Sequence, residues 1–188
     1  SIVQDLRYST ANNFTGTTVT GYHTNTAWLT QAAAQALFHV QQALRPWGLS
    51  LYIFDAYRPQ QAVKHFIRWA NEPNDAILQA RFYPNLTKQQ LFELGYLASR
   101  SSHMRGSTVD LTLASQTNTG WQELDMGTEF DFFGAAAAPD YPHLSRQQRN
   151  NRLLLRSIML QHGFHGFELE WWHFTLNQEP YPEHYFDF

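Results

Sequence analysis

The amino-acid sequence predicts an α+β fold, a mainly antiparallel sheet with helices packed against it. Three patterns carry that expectation. Apolar residues recur at helical spacing in separate stretches of the chain. Two short runs rich in aromatic and β-favouring residues are bounded by turn signals. Residues 108–113 alternate, with Val109, Leu111 and Leu113 on one side and Thr108, Asp110 and Thr112 on the other, so a strand carries Asp110 on its polar face.

Each element follows from its own signals. Leu29, Ala33, Ala36, Leu37, Val40 and Leu44 make an amphipathic helix that Pro46 and Gly48 stop. Residues 49–55, with Tyr52, Ile53 and Phe54, read as a buried strand running into Asp55, Ala56, Tyr57, Arg58 and Pro59. Pro59 opens a helix whose inward face is Val63, Phe66, Ile67 and Ala70. Residues 71–87, with Pro73 and Pro84, lack periodicity and are expected to be a long surface loop. Thr87 and Gln90 form a capping-box signature for a short helix ending near Gly95, and Ser145 with Gln148 repeats it before Leu154, Ile158 and Gln161. Residues 114–144 read as loop, with an alanine run at 135–138 and punctuation by Pro139 and Pro142. Residues 168–176 are rich in Trp, Phe and Thr and read as a strand.

Composition narrows the function. The 188 residues, 43% hydrophobic and 15% aromatic, suit one domain spanning 1–188. With 13 basic against 16 acidic residues and no Lys/Arg run, nucleic acid is not expected as a partner. Apolar stretches are far shorter than the ~20 residues of a membrane-spanning helix, so no membrane insertion is expected. There is no cysteine, so any metal must be held by His and carboxylate. That absence, with a first residue Ser1 and no apolar leader, is read as a processed periplasmic protein, the cytoplasm being the alternative.

Two segments carry chemistry. Ser101 to Asp110 sets His103 and Asp110 on either side of a turn at Arg105 and Gly106. Glu170, Trp171, Trp172 and His173 set a carboxylate and an imidazole three residues apart beside rings that exclude water. In a regular strand Glu170 and His173 point to opposite faces, so their convergence requires a bulge or bend near Trp171 and Trp172. Two His and one carboxylate with an open fourth position is the pattern of catalytic zinc, and Glu170 is placed to act as general base. On spacing alone, Asp110 serves equally as a turn residue and the two tryptophans as core. His23, His39, His65, His143, His162, His165 and His184 are assigned surface or structural roles.

The patterns S-x-H-x-x-G-x-x-x-D at 101–110 and E-W-W-H at 170–173 resemble the zinc D-alanyl-D-alanine dipeptidases of the vancomycin-resistance type. The likeness continues through Asp5-Leu6-Arg7-Tyr8, Asn13-Phe14-Thr15-Gly16, Asp55-Ala56-Tyr57-Arg58-Pro59-Gln60, Gly95-Tyr96, Met126-Gly127, Phe130-Asp131 and the segments Glu179-Pro180-Tyr181-Pro182 and Tyr185-Phe186-Asp187-Phe188. It implies one zinc per chain on His103, Asp110 and His173, in a cleft on the open face of the sheet, with Glu170 as base. It further implies Arg58 at the oxyanion, Asp131 and Tyr8 on the substrate ammonium, Ser101 in the same pocket, and a small D,D-dipeptide as substrate. Thr108 stands where the family usually has Ala. The alanine-rich residues 134–140 replace a segment commonly charged and His-containing, which alters the rim of the pocket. A related D,D-carboxypeptidase on longer wall peptides and a zinc-stabilised wall-peptide binding module are the rival readings, and a retained Glu170 argues against the second. Oligomeric state is not legible.

Overall fold

The computed structural model describes residues 1–188. Its elements, in order, are β1 (Val3–Gln4), α1 (Gln31–Leu44), β2 (Leu49–Asp55), α2 (Gln60–Ala70), α3 (Ala76–Phe82), α4 (Lys88–Glu93), β3 (Thr108–Thr117), β4 (Gly120–Glu123), α5 (Arg146–Gln161), β5 (Phe164–Phe167) and β6 (Glu170–Leu176). The strands form one open six-stranded sheet in the order β1-β2-β3-β6-β5, with β4 paired to β3 beside that path. All pairs are antiparallel except β1 with β2, so the α+β, mainly antiparallel expectation holds in a mixed sheet. No helix is long and apolar enough to cross a membrane.

Local chemistry explains the helices that were expected. Thr30 caps α1 by accepting from the Ala33 N–H, and Ala33, Leu37, Val40 and Leu44 form its buried stripe. Both capping boxes are complete, Thr87 with Gln90 opening α4 and Ser145 with Gln148 opening α5.

Four expectations need correction. In α2 the inward aromatic is Trp69, 4% exposed, whereas Ile67 is 37% exposed. The buried stripe is Ala62, Val63, Phe66 and Trp69, a helical i, i+3, i+4 progression that turns Ile67 outward. The supposed loop at 71–87 contains α3, because the Asp75 carboxylate accepts from the N–H groups of Ile77 and Leu78 and Phe82 anchors the last turn in the core. Within 114–144, β3 runs on to Thr117 and turns into β4, so a hairpin replaces loop. Finally, the last strand begins at Glu170, and β5 precedes it as its partner.

The part of the core that matters for the site is a group of aromatic rings. Tyr8 packs edge-on to Phe66 at 5.2 Å and to Tyr22 at 5.5 Å, and Phe14 lies 4.9 Å from both Phe66 and Trp69. Such pairs each add about 0.5–1.5 kcal/mol beyond area burial. They also fix the Tyr8 ring, which is 1% exposed, on the floor of the cleft.

Candidate active site

Sheet register assembles the site. Asp55 on β2 is paired with Asp110 on β3, and Asp110 is paired with His173 on β6, so three polar side chains form one row across three strands. His103 joins them from a single 3₁₀ turn, Ser102–Arg105, which ends at Gly106 with φ 72°, a conformation only glycine adopts without strain. The turn is tied down from several directions. The Thr30 N–H donates to the Gly106 carbonyl (2.7 Å), the Phe186 N–H donates to the Met104 carbonyl (2.9 Å), and Arg105 grips both carboxylate oxygens of Glu179 (2.6 and 2.8 Å).

Donor atoms of His103, Asp110 and His173 lie within 4.8 Å of one another. Asp110 presents one oxygen to His173 Nδ1 at 3.1 Å and the other to His103 Nε2 at 3.3 Å. His103 Nδ1 faces the Ala56 carbonyl at 2.7 Å and donates its proton there. In that neutral tautomer Nε2 is a bare lone pair, buried without a hydrogen-bond partner and aimed at a carboxylate oxygen. Two acceptors in that relation repel unless a cation lies between them. Charge points the same way: in the cleft the buried carboxylates Asp55, Asp110, Asp131 and Glu170 have one guanidinium, that of Arg58, among them. The residues therefore fit a divalent cation with nitrogen and oxygen ligands and an open position.

The convergence of Glu170 and His173 uses the bend that their spacing demands. Between β5 and β6 the ladder pairs Gly166 with Phe174 and then Phe167 with Glu170, so Trp171, Trp172 and His173 bulge out of register. Glu170 Oε2 thereby comes within 3.7 Å of His173 Nδ1. Burial first, then the charges of Asp110 and Asp131, pushes the Glu170 carboxyl well above the usual carboxylate range.

Arg58 donates from Nε to Asp55 Oδ2 (2.9 Å) and from Nη2 to Asp110 Oδ2 (3.4 Å), with its guanidinium 5.2 Å from the centre of the Tyr8 ring. Nη1 donates to no protein group, and the residue lines the cleft. Asp131 and Tyr8 are joined by a 2.8 Å hydrogen bond from the phenol to Oδ2. Burial, then Asp110, raises the Asp131 carboxyl well above its ordinary value. Ser101 caps the His103 turn by accepting from the His103 N–H (3.3 Å). Arg58, Tyr8, Asp131, Ser101, Glu170 and the His–Asp–His set all line one cleft of about 360 Å³.

Sequence reasoning passed over Asp55 and Tyr22. Asp55, fully buried, holds Arg58 and lies 3.7 Å from His103 Nδ1, and the Tyr22 hydroxyl donates to its other oxygen at 2.5 Å. An acidic residue ending an apolar strand three residues before an Arg was the available signal. His165, assigned a structural role, hydrogen-bonds Asn177 at 2.8 Å while also lining the cleft.

The family model for D-Ala-D-Ala dipeptidases, peptidase family M15, matches residues 2–188. The D-alanyl-D-alanine dipeptidase of Streptomyces coelicolor is 44% identical over 184 residues, covering 98% of this chain and 90% of the relative. Those of Enterococcus faecalis and Enterococcus faecium are 42% and 40% identical with the same coverage. With the model matched from end to end and relatives this close, the chain belongs to the M15 family of D-Ala-D-Ala dipeptidases.

Proposed function

We propose that the chain hydrolyses D-alanyl-D-alanine to two molecules of D-alanine, with one zinc held by His103, Asp110 and His173. The observation that carries this reading is the juxtaposition of the three-ligand set with a fourth, buried carboxylate, Glu170, 3.7 Å from His173. A binding module has no use for a base there. Zinc in that position supplies Lewis acidity and an acidified water at neutral pH.

The protein's own residues do the rest. Glu170, its proton affinity raised by burial, takes a proton from the attacking water and delivers it to the departing amine nitrogen. Arg58 Nη1 faces the charge that develops on the carbonyl oxygen, and its bonds to Asp55 and Asp110 fix it beforehand, so little reorganisation is needed. Asp131 and the Tyr8 hydroxyl receive the substrate ammonium, whose arrival restores the charge on a carboxyl that is otherwise costly to ionise. Ser101 lines the same pocket. The aromatic walls keep bulk water from competing for these groups.

The test is to incubate zinc-loaded protein separately with D-Ala-D-Ala and with a wall pentapeptide ending in the same two residues, and to quantify free D-alanine. Rapid release from the dipeptide alone is expected. Release from the pentapeptide at a comparable rate would identify a D,D-carboxypeptidase, and release from neither would identify the binding module. The absence of cysteine is compatible with the oxidising periplasm as the place of action, and fractionation of cells that make the protein tests that.

A further inference from the structure

Asp131 has φ 63° and is the one non-glycine residue with positive φ, a conformation that persists only where its surroundings over-determine it. The segment around it, residues 126–138, has almost no regular structure of its own beyond a single turn at Ala135–Ala137. Both ends of this segment are gripped by one side chain. Arg152, on α5 and 3% exposed, donates from Nε to the Met126 carbonyl (2.6 Å), from Nη1 to the Ala138 carbonyl (2.6 Å) and from Nη2 to the Ala136 carbonyl (2.8 Å). It forms no ion pair with any carboxylate. Burial lowers its pKa to about 10, so the cation is kept at a cost, and all its hydrogen bonds go to backbone carbonyls while it lies 5.9 Å from the centre of the Trp171 indole.

Neighbouring contacts reinforce the grip. Asn151 donates to the Asp125 carbonyl (2.8 Å), and Gln148 donates to the Asp125 carboxylate (2.9 Å). Gly127 turns the chain at φ 88° where a Cβ would lie 2.6 Å from Leu144. Between the two anchored ends, the Phe133 N–H donates to the Phe82 carbonyl (2.7 Å), and Thr128 accepts from the indole of Trp171 (2.8 Å). The planar guanidinium suits this task because its donors diverge in one rigid plane, whereas an ammonium offers three donors from a single point. The alanine run at 135–138 also gains a use, since it presents main-chain carbonyls with little side-chain bulk around them.

We propose that Arg152 is a positioning residue for substrate recognition: by tying Met126 to Ala136 and Ala138 it holds the loop that aims Asp131 at the ammonium of the dipeptide. This rests on the reading of Asp131 given above. The loop is set before substrate arrives, so the geometry of the charged contact is inherited from α5.

Arg152→Lys and Arg152→Met test it, with Asp131→Ala as reference, by steady-state kinetics on D-Ala-D-Ala and its N-acetyl derivative together with zinc content and thermal midpoint. In Arg152→Met, zinc stays stoichiometric and KM for the free dipeptide rises about tenfold or more, the scale of a misplaced contact, while kcat changes by less than about threefold. The preference for free over acetylated substrate shrinks towards that of Asp131→Ala. Arg152→Lys, which keeps the charge and part of the bonding, lies between. Wild-type KM and preference in Arg152→Lys, or a lowered midpoint with unchanged preference in Arg152→Met, overturn the proposal and leave Arg152 a purely structural staple. If Asp131→Ala itself leaves the preference intact, the ammonium reading fails instead.

Discussion

Asp110 lies directly opposite His173 in the β3–β6 ladder and offers one oxygen to His173 Nδ1 at 3.1 Å and the other to His103 Nε2 at 3.3 Å. Cross-strand pairing rather than loop conformation thus places two of the three residues of the proposed metal set. Replacing His103 by Ala should drop the metal content of the dialysed protein from one per chain to near zero, with activity lost in parallel. Metal analysis decides this, and full occupancy in His103→Ala would mean that the ion is held elsewhere. Chelation of the wild type should lower its thermal midpoint, because the buried carboxylates lose their counter-charge and the folded state loses a ligand.

Glu170→Gln keeps the shape of the side chain but cannot accept a proton. Zinc should remain bound while turnover falls about 10²-fold or more. Wild-type rates in the zinc-loaded variant would remove Glu170 from the chemistry.

Arg58 is held by Asp55, and Asp55 by Tyr22. Arg58→Ala should cost on the order of 10² in kcat through lost stabilisation of the developing oxyanion. Asp55→Asn should reduce kcat and also destabilise the protein by about 1.5–3 kcal/mol, since the buried guanidinium loses the nearer of its two carboxylate partners. Denaturant melts run beside the kinetics separate the two effects.

Asp131→Ala should raise KM for D-Ala-D-Ala by an amount equivalent to roughly 1.5–3 kcal/mol, the worth of a hydrogen bond to a charged group. N-acetyl-D-Ala-D-Ala has no ammonium and should lose far less. Equal proportional losses in kcat/KM on both substrates would assign Asp131 to the fold.

Away from the cleft, Trp69→Ala should destabilise by about 3–5 kcal/mol, and Ile67→Ser by no more than about 0.5 kcal/mol. Asp75→Ala should cost about 1 kcal/mol through loss of the α3 cap. Chemical denaturation of the three variants checks the assignment of inward and outward faces.

These last residues also mark where the sequence was hard to read. Helices with a long apolar stripe or a two-residue capping box announced themselves, because their signals are local. Helix α3 rests on a single capping carboxylate and one buried phenylalanine in a segment framed by prolines, too little to rise above a loop. Strand β5 is only four residues long, and its pairing slips beside Glu170, which erases any period-two pattern. In the site, spacing alone called for a bend at Trp171 and Trp172, and the bulge lies there. The service of Asp55 to Arg58 had only their three-residue spacing as a signal, since the groups that complete it, Tyr22 and Asp110, arrive from other elements.

The turn bearing His103 is fastened by Glu179 and Phe186, which lie beyond His103, Asp110 and His173 in chain order. On the ribosome, His103 and Asp110 emerge well before the segment that clamps them, and His173 follows long after its partners. A nascent chain would therefore expose the proposed ligands without a finished cage, and tight metal capture should wait for residues 179–186 to dock. In the order of synthesis the proposed metal centre should therefore mature only after residues 179–186 have been made and docked.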